Sequence, residues 1–495
     1  MKKLVILLLI ITTNLQSQKK VLDHKDFDIW NRIQNSQISS DGNYIMYSIQ
    51  RGEEDSFLKI KDKNSNLIFE HDRGERGVFS YNSKYAIFTI KEWNDSIIEM
   101  KRRKVKKDKM PKDTLGIFNL QDKSLIKLSY IKSYKNPEKW SGYIAYTYDF
   151  IKKNKKPKDS TKTKEKSKKP SIKNGYPLVI RNLDTKEEDT IQFVLDYTFS
   201  KEEKIISYIT TGDDNFIKPG VYIKDLNNNS TKHIFESHVK TKYYNLNLSN
   251  SGKKLAFIVD TDSTKSYRRN KELYAWNSKD DLKLILDRKD SPKGYHVSSD
   301  GQISFSDDET KLYFGLALPE IYQDTLLLKE EIVDVEVWTY DEPRLYTIQE
   351  MQLNNDKKKS FKSVYNFNNE KVIQIANKEF PNAIISEHGN SEYALISNPQ
   401  PYQLSSQWTA LFSKNDLAVK NIKNGDSEIL IKGNPSLARL SPQGYYAYGY
   451  NQVDSTWYSH NLKKSKYTEL TRGKIFYNEL SDYPNYPSSY GIAGW

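Results

Sequence analysis

A short pattern recurs eight times along this chain: a serine opens a polar turn, and a strand of alternating apolar residues follows. In the five clearest copies an aromatic residue stands eight positions after the serine. Those copies span 39–47, 80–88, 200–208, 249–257 and 306–314, and three weaker copies span 140–146, 386–395 and 441–448. Ser, Asp, Asn and Gly favour such turns because their side chains bond the nearby backbone or because Gly accepts positive φ.

The spacing of the copies predicts the fold. Ser39 and Ser80 are 41 residues apart, and Ser200 and Ser249 are 49 apart, close to the roughly 40–50 residues of one four-stranded propeller blade. We therefore predict an all-β chain, a β-propeller of about seven to eight four-stranded blades that is incomplete or unclosed at its C-terminus. An array of β-sandwiches and a β-helix are the alternative folds.

The N-terminus predicts export. Met1, Lys2 and Lys3 precede an apolar run over 4–11 and a polar stretch, which is typical of a signal peptide that ends at Ser17. We therefore expect a periplasmic or secreted protein with no membrane span, whose propeller domain covers 18–495. The chain has no Cys, which excludes disulfides, a lipoprotein anchor and thiolate metal sites.

The positive charge is concentrated locally. The formal net charge is +13, and two basic low-complexity stretches, at about 100–113 and 152–173, hold most of it. The second stretch lacks the apolar residues that a core needs. We expect both to be solvated insertions within or between blades, rather than contacts to nucleic acid.

Motifs for catalysis or cofactor binding are missing from the sequence. No G-x-S-x-G, H-E-x-x-H, G-x-G-x-x-G or P-loop occurs, so we expect no catalytic residue, no cofactor and no metal. Among the histidines, His233 and His238 come nearest to a metal-ligand spacing. Their separation of five predicts opposite faces of one strand. Glu330 and Glu331 are the one pair of carboxylates that we consider a candidate binding site, because their negative field could bind a substrate amine.

Three segments, in their order along the chain, carry a family resemblance. They are 26–30 (DFDIW) leading through Ile33 into the first turn, 110–117 (MPKDTLGI), and 333–340 (VDVEVWTY), which we interpret as an inserted strand pair continuing to Leu345. Together they resemble the N-terminal propeller of exported prolyl-oligopeptidase-type (S9, dipeptidyl-peptidase-like) serine peptidases. The resemblance covers nearly the whole mature chain.

The resemblance implies a role in peptide degradation. In that family a propeller limits access to an α/β-hydrolase domain with a Ser-Asp-His triad, and no position of this sequence matches the triad motifs. Two hypotheses follow. The chain is the non-catalytic, gating part of such a peptidase, with short peptides and a separately encoded α/β-hydrolase domain as partners, or it is a free-standing, TolB-like periplasmic propeller that binds a protein or peptide.

Overall fold

The computed structural model describes residues 22–24, 26, 30–52, 54–149, 168–212, 217–238, 241–262, 264, 268–322, 324, 326–333, 335, 337–408, 414–434, 438–451, 454 and 456–471. The predicted signal peptide, most of the second basic stretch and the last residues of the chain lie outside these ranges. The chain divides into two compact units, which we call unit 1 (1–162 and 178–190) and unit 2 (163–177 and 191–495).

Unit 1 is built from antiparallel strands that follow one another as neighbours in each sheet. Its strands are β1 (Asn31–Ile38), β2 (Tyr44–Arg51), β3 (Phe57–Asp62) and β4 (Leu67–Asp72) in one sheet, β5 (Gly74–Phe79), β6 (Tyr85–Ile90), β7 (Thr114–Asn119) and β8 (Leu125–Leu128) in the next, and β9 (Ile131–Lys135), β10 (Tyr143–Tyr148) and β11 (Tyr176–Asn182). Helix α1 (Asn94–Arg102) and a 3₁₀ turn (Lys107–Lys109) lie between β6 and β7.

Unit 2 repeats the same meander. Its strands are β12 (Glu188–Phe199), β13 (Ile205–Thr210), β14 (Gly220–Asp225) and β15 (Ser230–Glu236); β16 (Lys242–Leu248), β17 (Lys254–Asp260), β18 (Glu272–Asn277) and β19 (Lys283–Leu286); β20 (His296–Val297), β21 (Ser304–Phe305), β22 (Lys311–Ala317), β23 (Phe361–Asn366) and β24 (Lys371–Gln374); β25 (Asn382–Ile384), β26 (Tyr393–Asn398), β27 (Asn415–Asn421) and β28 (Ser427–Asn434); and β29 (Arg439–Leu440), β30 (Tyr446–Asn451), β31 (Thr456–Asn461) and β32 (Lys466–Glu469). Its helices are α2 (Tyr346–Lys357) and α3 (Gln403–Trp408), with 3₁₀ turns at Lys329–Glu331 and Gln400–Tyr402. The described strands form seven antiparallel sheets.

Each central strand is apolar on both faces, and this explains how the sheets stack. In β17, Phe257 packs in a core with residues of β13 and β14, whereas its neighbours Ala256 and Ile258 pack in a different core with residues of β20 and β22. Successive side chains of a strand point to opposite faces, so one strand supplies two cores. Four-stranded antiparallel sheets stacked face to face in this way are the β-propeller fold, as the repeat predicts.

The repeated serine has a structural role that its burial makes clear. The hydroxyl of Ser39 accepts a hydrogen bond from the backbone N–H five residues later at 2.9 Å, and Ser80, Ser249, Ser306 and Ser441 do the same at 3.0–3.1 Å. All five side chains are buried. Since the partner N–H belongs to the first residue of the next strand, each of these five serines closes the turn that leads into that strand. Ser200 instead accepts from the Glu203 N–H, three residues later, at 3.1 Å.

The motif turns of neighbouring sheets also contact each other. In unit 2 the amide of Asn250 donates to Asp307 at 3.1 Å, the backbone N–H of Asp308 donates to the Asn390 side chain at 3.0 Å, and the Ser391 hydroxyl donates to the Gly444 carbonyl at 3.2 Å. The repeat is therefore a structural device that holds successive sheets together at one end.

The long connections lie at the other end of the sheets. They join second to third strands, as in 91–113 between β6 and β7, 318–360 between β22 and β23, and 399–414 between β26 and β27. Because strands in a meander alternate in direction, these connections lie opposite the serine turns. We call this the insertion end of each sheet, and loops of this kind commonly carry function.

The segment expected to form an inserted strand pair is different in the structure. The described residues between 332 and 345 lie in turns and irregular backbone, and α2 begins at Tyr346. Val333 and Val337 are exposed, so the alternating pattern that suggested a strand has no sheet to pair with here. No helix within the described residues combines the length and apolar character needed to cross a membrane.

Candidate functional site: an acidic cleft at the insertion end of unit 1

A cleft in the described part of unit 1 has a volume of about 610 Å³ and lies at the insertion end of its first two sheets. It is formed by the β2–β3 connection, the end of β4 and the start of α1. Its lining carries five carboxylates and one guanidinium, together with two aromatic rings: Glu54, Asp55, Glu70, Asp72, Asp95, Arg51, Phe57 and Trp93. This excess of negative charge favours a cationic ligand.

Two of the five carboxylates are paired. Glu54 lies 3.7 Å from the Arg51 guanidinium, and Glu70 lies 3.3 Å from the Lys59 ammonium. Asp72 and Asp95 form no ion pair with the described residues and are exposed. The negative field of the cleft therefore comes mainly from carboxylates whose charge the protein leaves unbalanced.

The aromatic wall is held by an arginine. The Arg73 guanidinium carbon lies 4.1 Å from the centre of the Trp93 ring, and an Arg73 N–H donates to the Lys91 carbonyl at 2.9 Å. Trp93 is 47% exposed, so part of its indole ring remains open to a ligand. A cation beside such a ring gains cation–π attraction in addition to its attraction to carboxylates.

A hydrogen bond joins helix α1 to the opposite wall. The side chain of Asp55 accepts from the backbone N–H of Asn94 at 3.0 Å. That N–H is among the first of α1, which have no partner within the helix. Asp55 therefore positions the helix against the β2–β3 connection and maintains the width of the cleft.

The structure places the sequence-predicted pair elsewhere. Glu330 and Glu331 lie in the 3₁₀ turn of the 318–360 connection in unit 2, where both are exposed. The Glu331 carboxylate accepts from the Leu328 N–H at 2.7 Å. The prediction that this pair binds an amine stays a prediction, and the acidic cleft was missed because its carboxylates come from three separate elements, the β2–β3 connection, β4 and the start of α1.

A histidine and an aspartate of unit 2 form a pair next to a serine. The His388 ring lies 2.8 Å from the Asp307 carboxylate, and Ser306 precedes that aspartate. However, Ser306 is 1% exposed and its hydroxyl donates to Asp308 at 2.6 Å while accepting from the Lys311 N–H. This serine belongs to a motif turn and is not oriented for attack on a substrate.

Unit 2 has a buried charged cluster at its own insertion end. The His296 Nε2 lies 3.1 Å from Glu320, which also lies 3.3 Å from Arg288 and 3.9 Å from Lys271. The pKa of His296 is lowered to about 4, mainly by burial and in part by the nearby Arg288 and Lys271 cations, while Glu320 acts in the opposite direction. His296 is therefore neutral at pH 7.

Nearby, Asp260 and Arg269 hold the β17–β18 connection. Asp260 is fully buried and accepts from the Arg269 Nε at 2.7 Å, while another N–H of Arg269 donates to the Thr264 carbonyl at 2.7 Å. All of these groups satisfy one another, so this cluster is structural.

The potential metal ligands of the described residues do not form a metal site. No group of three or more His, Cys, Asp or Glu side chains within the described ranges could hold a metal ion. His233 lies in β15 and stacks on Tyr222 with a ring separation of 4.2 Å, whereas His238 lies beyond the end of that strand at Glu236. The expectation that the two histidines share one strand is therefore wrong.

Several solved structures are similar to this chain. Solved structures similar to the chain include Porphyromonas gingivalis dipeptidyl peptidase 4 (TM-score 0.40, 9% identity, covering 91% of this chain and 61% of that one). The β-propeller domain of the trilobed protease from Pyrococcus furiosus is also similar (TM-score 0.31, 12% identity, covering 84% of this chain and 100% of that one). An oligogalacturonate lyase in complex with manganese is a third (TM-score 0.33, 8% identity, covering 73% and 84%).

These similarities do not assign an activity to this chain. No family model matches the chain, and no curated protein matches it. Peptidases and a lyase are both among the similar structures, and the chain spans 61% of the length of the dipeptidyl peptidase. A fold does not by itself imply a function, so function has to be argued from the residues of the site.

Proposed function

We propose that this chain is the substrate-binding propeller of an exported, S9-type serine peptidase, and that the acidic cleft of unit 1 holds the cationic end of a short peptide. The observation that carries the proposal is the cleft itself, with its unbalanced carboxylates beside the exposed ring of Trp93. The order of the 26–30, 110–117 and 333–340 segments supports the S9 type. Export is proposed from the leader-like sequence over 1–17.

The proposed chemistry is binding and positioning. An N-terminal ammonium or a lysine side chain would place its charge between Asp72 and Asp95 and its aliphatic part against Trp93. Such a contact is screened by salt because the carboxylates are exposed. Hydrolysis would be carried out by an α/β-hydrolase domain, since the described residues offer no oriented nucleophile.

The free-standing binding propeller is the second candidate, and the same cleft favours it. Both candidates predict peptide binding, but they differ in what a hydrolase domain adds. Under the first, a hydrolase domain encoded beside this chain would form a complex with it and cleave the peptides that the cleft binds. Under the second, no such complex forms, and binding is the whole activity.

The test compares two peptides on the full chain by calorimetry at low salt. Ala-Pro-amide carries an N-terminal ammonium, whereas acetyl-Ala-Pro-amide does not. We expect the first to bind about tenfold more tightly, as about 1.4 kcal/mol of charge-assisted hydrogen bonding would give. Asp72→Asn and Trp93→Ala should each reduce that preference, whereas Glu187→Gln, at an exposed carboxylate outside the cleft, should not.

Equal binding of the two peptides by the unaltered chain would overturn the proposal. So would a preference that survives in both cleft variants. Purified chain should also fail to hydrolyse chromogenic Xaa-Pro substrates, and turnover that a serine-directed phosphonate blocks would contradict the non-catalytic role.

A further inference from the structure

A second cleft in unit 1 differs in charge from the first. It has a volume of about 310 Å³ and lies between the first strands of two successive strand groups, β5 and β9. Its polar lining includes Arg76, Thr89, Asp113, Lys132, Ser133 and Tyr134. Asp113 is neutralised by the Lys91 ammonium at 2.7 Å, so this carboxylate does not balance the charge of Arg76.

Arg76 is the distinctive residue of this cleft. It is exposed, and no ion pair joins it to a carboxylate of the described residues, although Arg73, three positions earlier, lies 4.0 Å from Glu92. Its backbone is left-handed, with φ at 53°. A β-bulge between Glu75 and Val78 produces this conformation and changes the direction of the side chain.

The same backbone feature recurs at the same place in two other first strands. Asn35 and Asn245 have φ values of 52° and 53°, each lies at a bulge, and each precedes its motif serine by four residues, as Arg76 precedes Ser80. Asn tolerates left-handed backbone, whereas a long side chain such as Arg does so at a greater cost. The chain thus places Arg where its own repeat uses Asn.

The structure explains Asn245 but leaves Arg76 without a comparable partner. The Asn245 amide donates to the carbonyls of Ser299 and Gly301, both at 2.9 Å, and so joins its strand to the next sheet. At Arg76 the link to the next strand group comes from Tyr134, whose hydroxyl donates to the Arg76 carbonyl at 3.1 Å. The guanidinium is therefore not needed to hold the strands together.

We propose that Arg76 binds the carboxylate of a ligand in this second cleft. A guanidinium presents parallel N–H donors that match the two oxygens of a carboxylate. The Ser133 hydroxyl, which shares a 2.8 Å hydrogen bond with the Thr147 hydroxyl, and the Thr89 hydroxyl line the same space. Burial raises the pKa of the Tyr134 phenol, so this group stays neutral beside an anion.

The carboxylate site extends the proposed function, and the identity of its ligand rests on that function. A short peptide has an ammonium at one end and a carboxylate at the other, and unit 1 offers an acidic cleft and a basic one. The second cleft would then recognise the C-terminal carboxylate of the peptide. A small free carboxylate could bind through the same contacts, and the experiment distinguishes it from a peptide.

The experiment measures binding of acetyl-Ala-Ala-Ala and of its C-terminal amide to the full chain by calorimetry. Because both probes are acetylated, neither carries the ammonium that the acidic cleft would bind. We expect the unaltered chain to bind the acid about tenfold more tightly than the amide. Arg76→Asn should abolish this difference while leaving affinity for the amide unchanged.

Two controls make the result decisive. Arg76→Asn introduces the residue that the repeat uses at this position, so its thermal unfolding should occur at or above the temperature of the unaltered chain. Arg32→Asn, at an exposed arginine of β1 outside the cleft, should keep the preference for the acid. Acetate that competes as well as the tripeptide would identify a small carboxylate as the ligand, whereas acetate that fails to compete would identify the peptide C-terminus, and either result supports the site.

The inference fails if the unaltered chain binds the acid and the amide equally, or if Arg76→Asn retains the preference. A preference for Ala-Pro-amide over its acetylated form, seen together with such a failure, would leave the proposed function standing and remove only the carboxylate site. Loss of both preferences would remove both proposals.

Discussion

The hydroxyl of Ser80 accepts a hydrogen bond from the backbone N–H of Tyr85 at 3.0 Å while it donates to the Asn82 side chain at 2.8 Å. Ser80 is 1% exposed, so water cannot replace either bond. The repeat that defines this chain is therefore a set of buried hydrogen bonds, and its serines carry structural rather than catalytic chemistry.

Ser80→Ala should destabilise the protein by about 1–3 kcal/mol, because it leaves the Tyr85 N–H buried without its acceptor. The midpoint of urea unfolding measures the loss, and faster hydrogen exchange at the Tyr85 amide localises it. Ser124→Ala, in an exposed turn between β7 and β8, is the matched control and should change stability by less than about 0.5 kcal/mol. Equal effects of the two substitutions would refute the structural role of the motif serine.

Tyr313→Phe should weaken the connection between two successive motif turns of unit 2. The Tyr313 hydroxyl donates to the Gly389 carbonyl at 2.7 Å, and the side chain is 1% exposed. Removing this buried donor should cost about 1–3 kcal/mol, measured by thermal unfolding. Tyr340→Phe removes the same atom from a side chain that is 93% exposed and should have no measurable effect, and a similar loss in both variants would contradict the prediction.

His296 should make the protein less stable in acid. Its pKa in the folded protein is about 4, below the ordinary value of 6.5, so the unfolded state binds the proton first as the pH falls. Stability should therefore decrease from pH 6.5 toward pH 4. His296→Gln should show a smaller decrease over this range in urea unfolding, whereas the exposed His24→Gln should behave like the unaltered chain. A steeper decrease of stability in His296→Gln would contradict the predicted effect of His296 on stability in acid.

Asp260→Asn should loosen the β17–β18 connection. The substitution removes the nearer and fully buried of the two carboxylates beside the largely buried Arg269 guanidinium and leaves Asp262 at 3.9 Å. Breaking a buried pair costs up to about 3–5 kcal/mol. Arg269 also holds the connection through the Thr264 carbonyl, so limited trypsin digestion should become faster at Arg268 and Arg269. Asp280→Asn, at an exposed turn, should leave the digestion rate unchanged, and unaltered cleavage in Asp260→Asn would refute the role of the pair.

Much of the fold could be predicted from residue types at fixed spacing. Ser39 and its counterparts lie at the turn between first and second strands, and the aromatic eight residues later is buried at Phe88, Phe257 and Phe314. These features depend on local turn chemistry and on the two-residue period of a strand, so the sequence contains them directly.

The binding clefts could not be predicted in the same way. Glu54, Glu70 and Asp95 come from a connection, a strand and a helix, and only the stacking of two sheets brings them to one cleft. Glu330 and Glu331 were predicted as a site because they are adjacent in sequence. Adjacency in sequence does not show which charges lie close together in the folded chain.

The class of the fold and the positions of the motif turns could be read from residue types alone, because hydrogen bonds across five residues and alternation along a strand are local. The three-dimensional arrangement was needed to show that the long connections share the end opposite the serine turns, that Trp93 lies beside unpaired carboxylates, and that Arg76 occupies a bulge position where Asn35 and Asn245 stand in other sheets. Those relationships depend on strand direction, register and the packing of one sheet on the next, which are set by contacts between residues far apart in the chain.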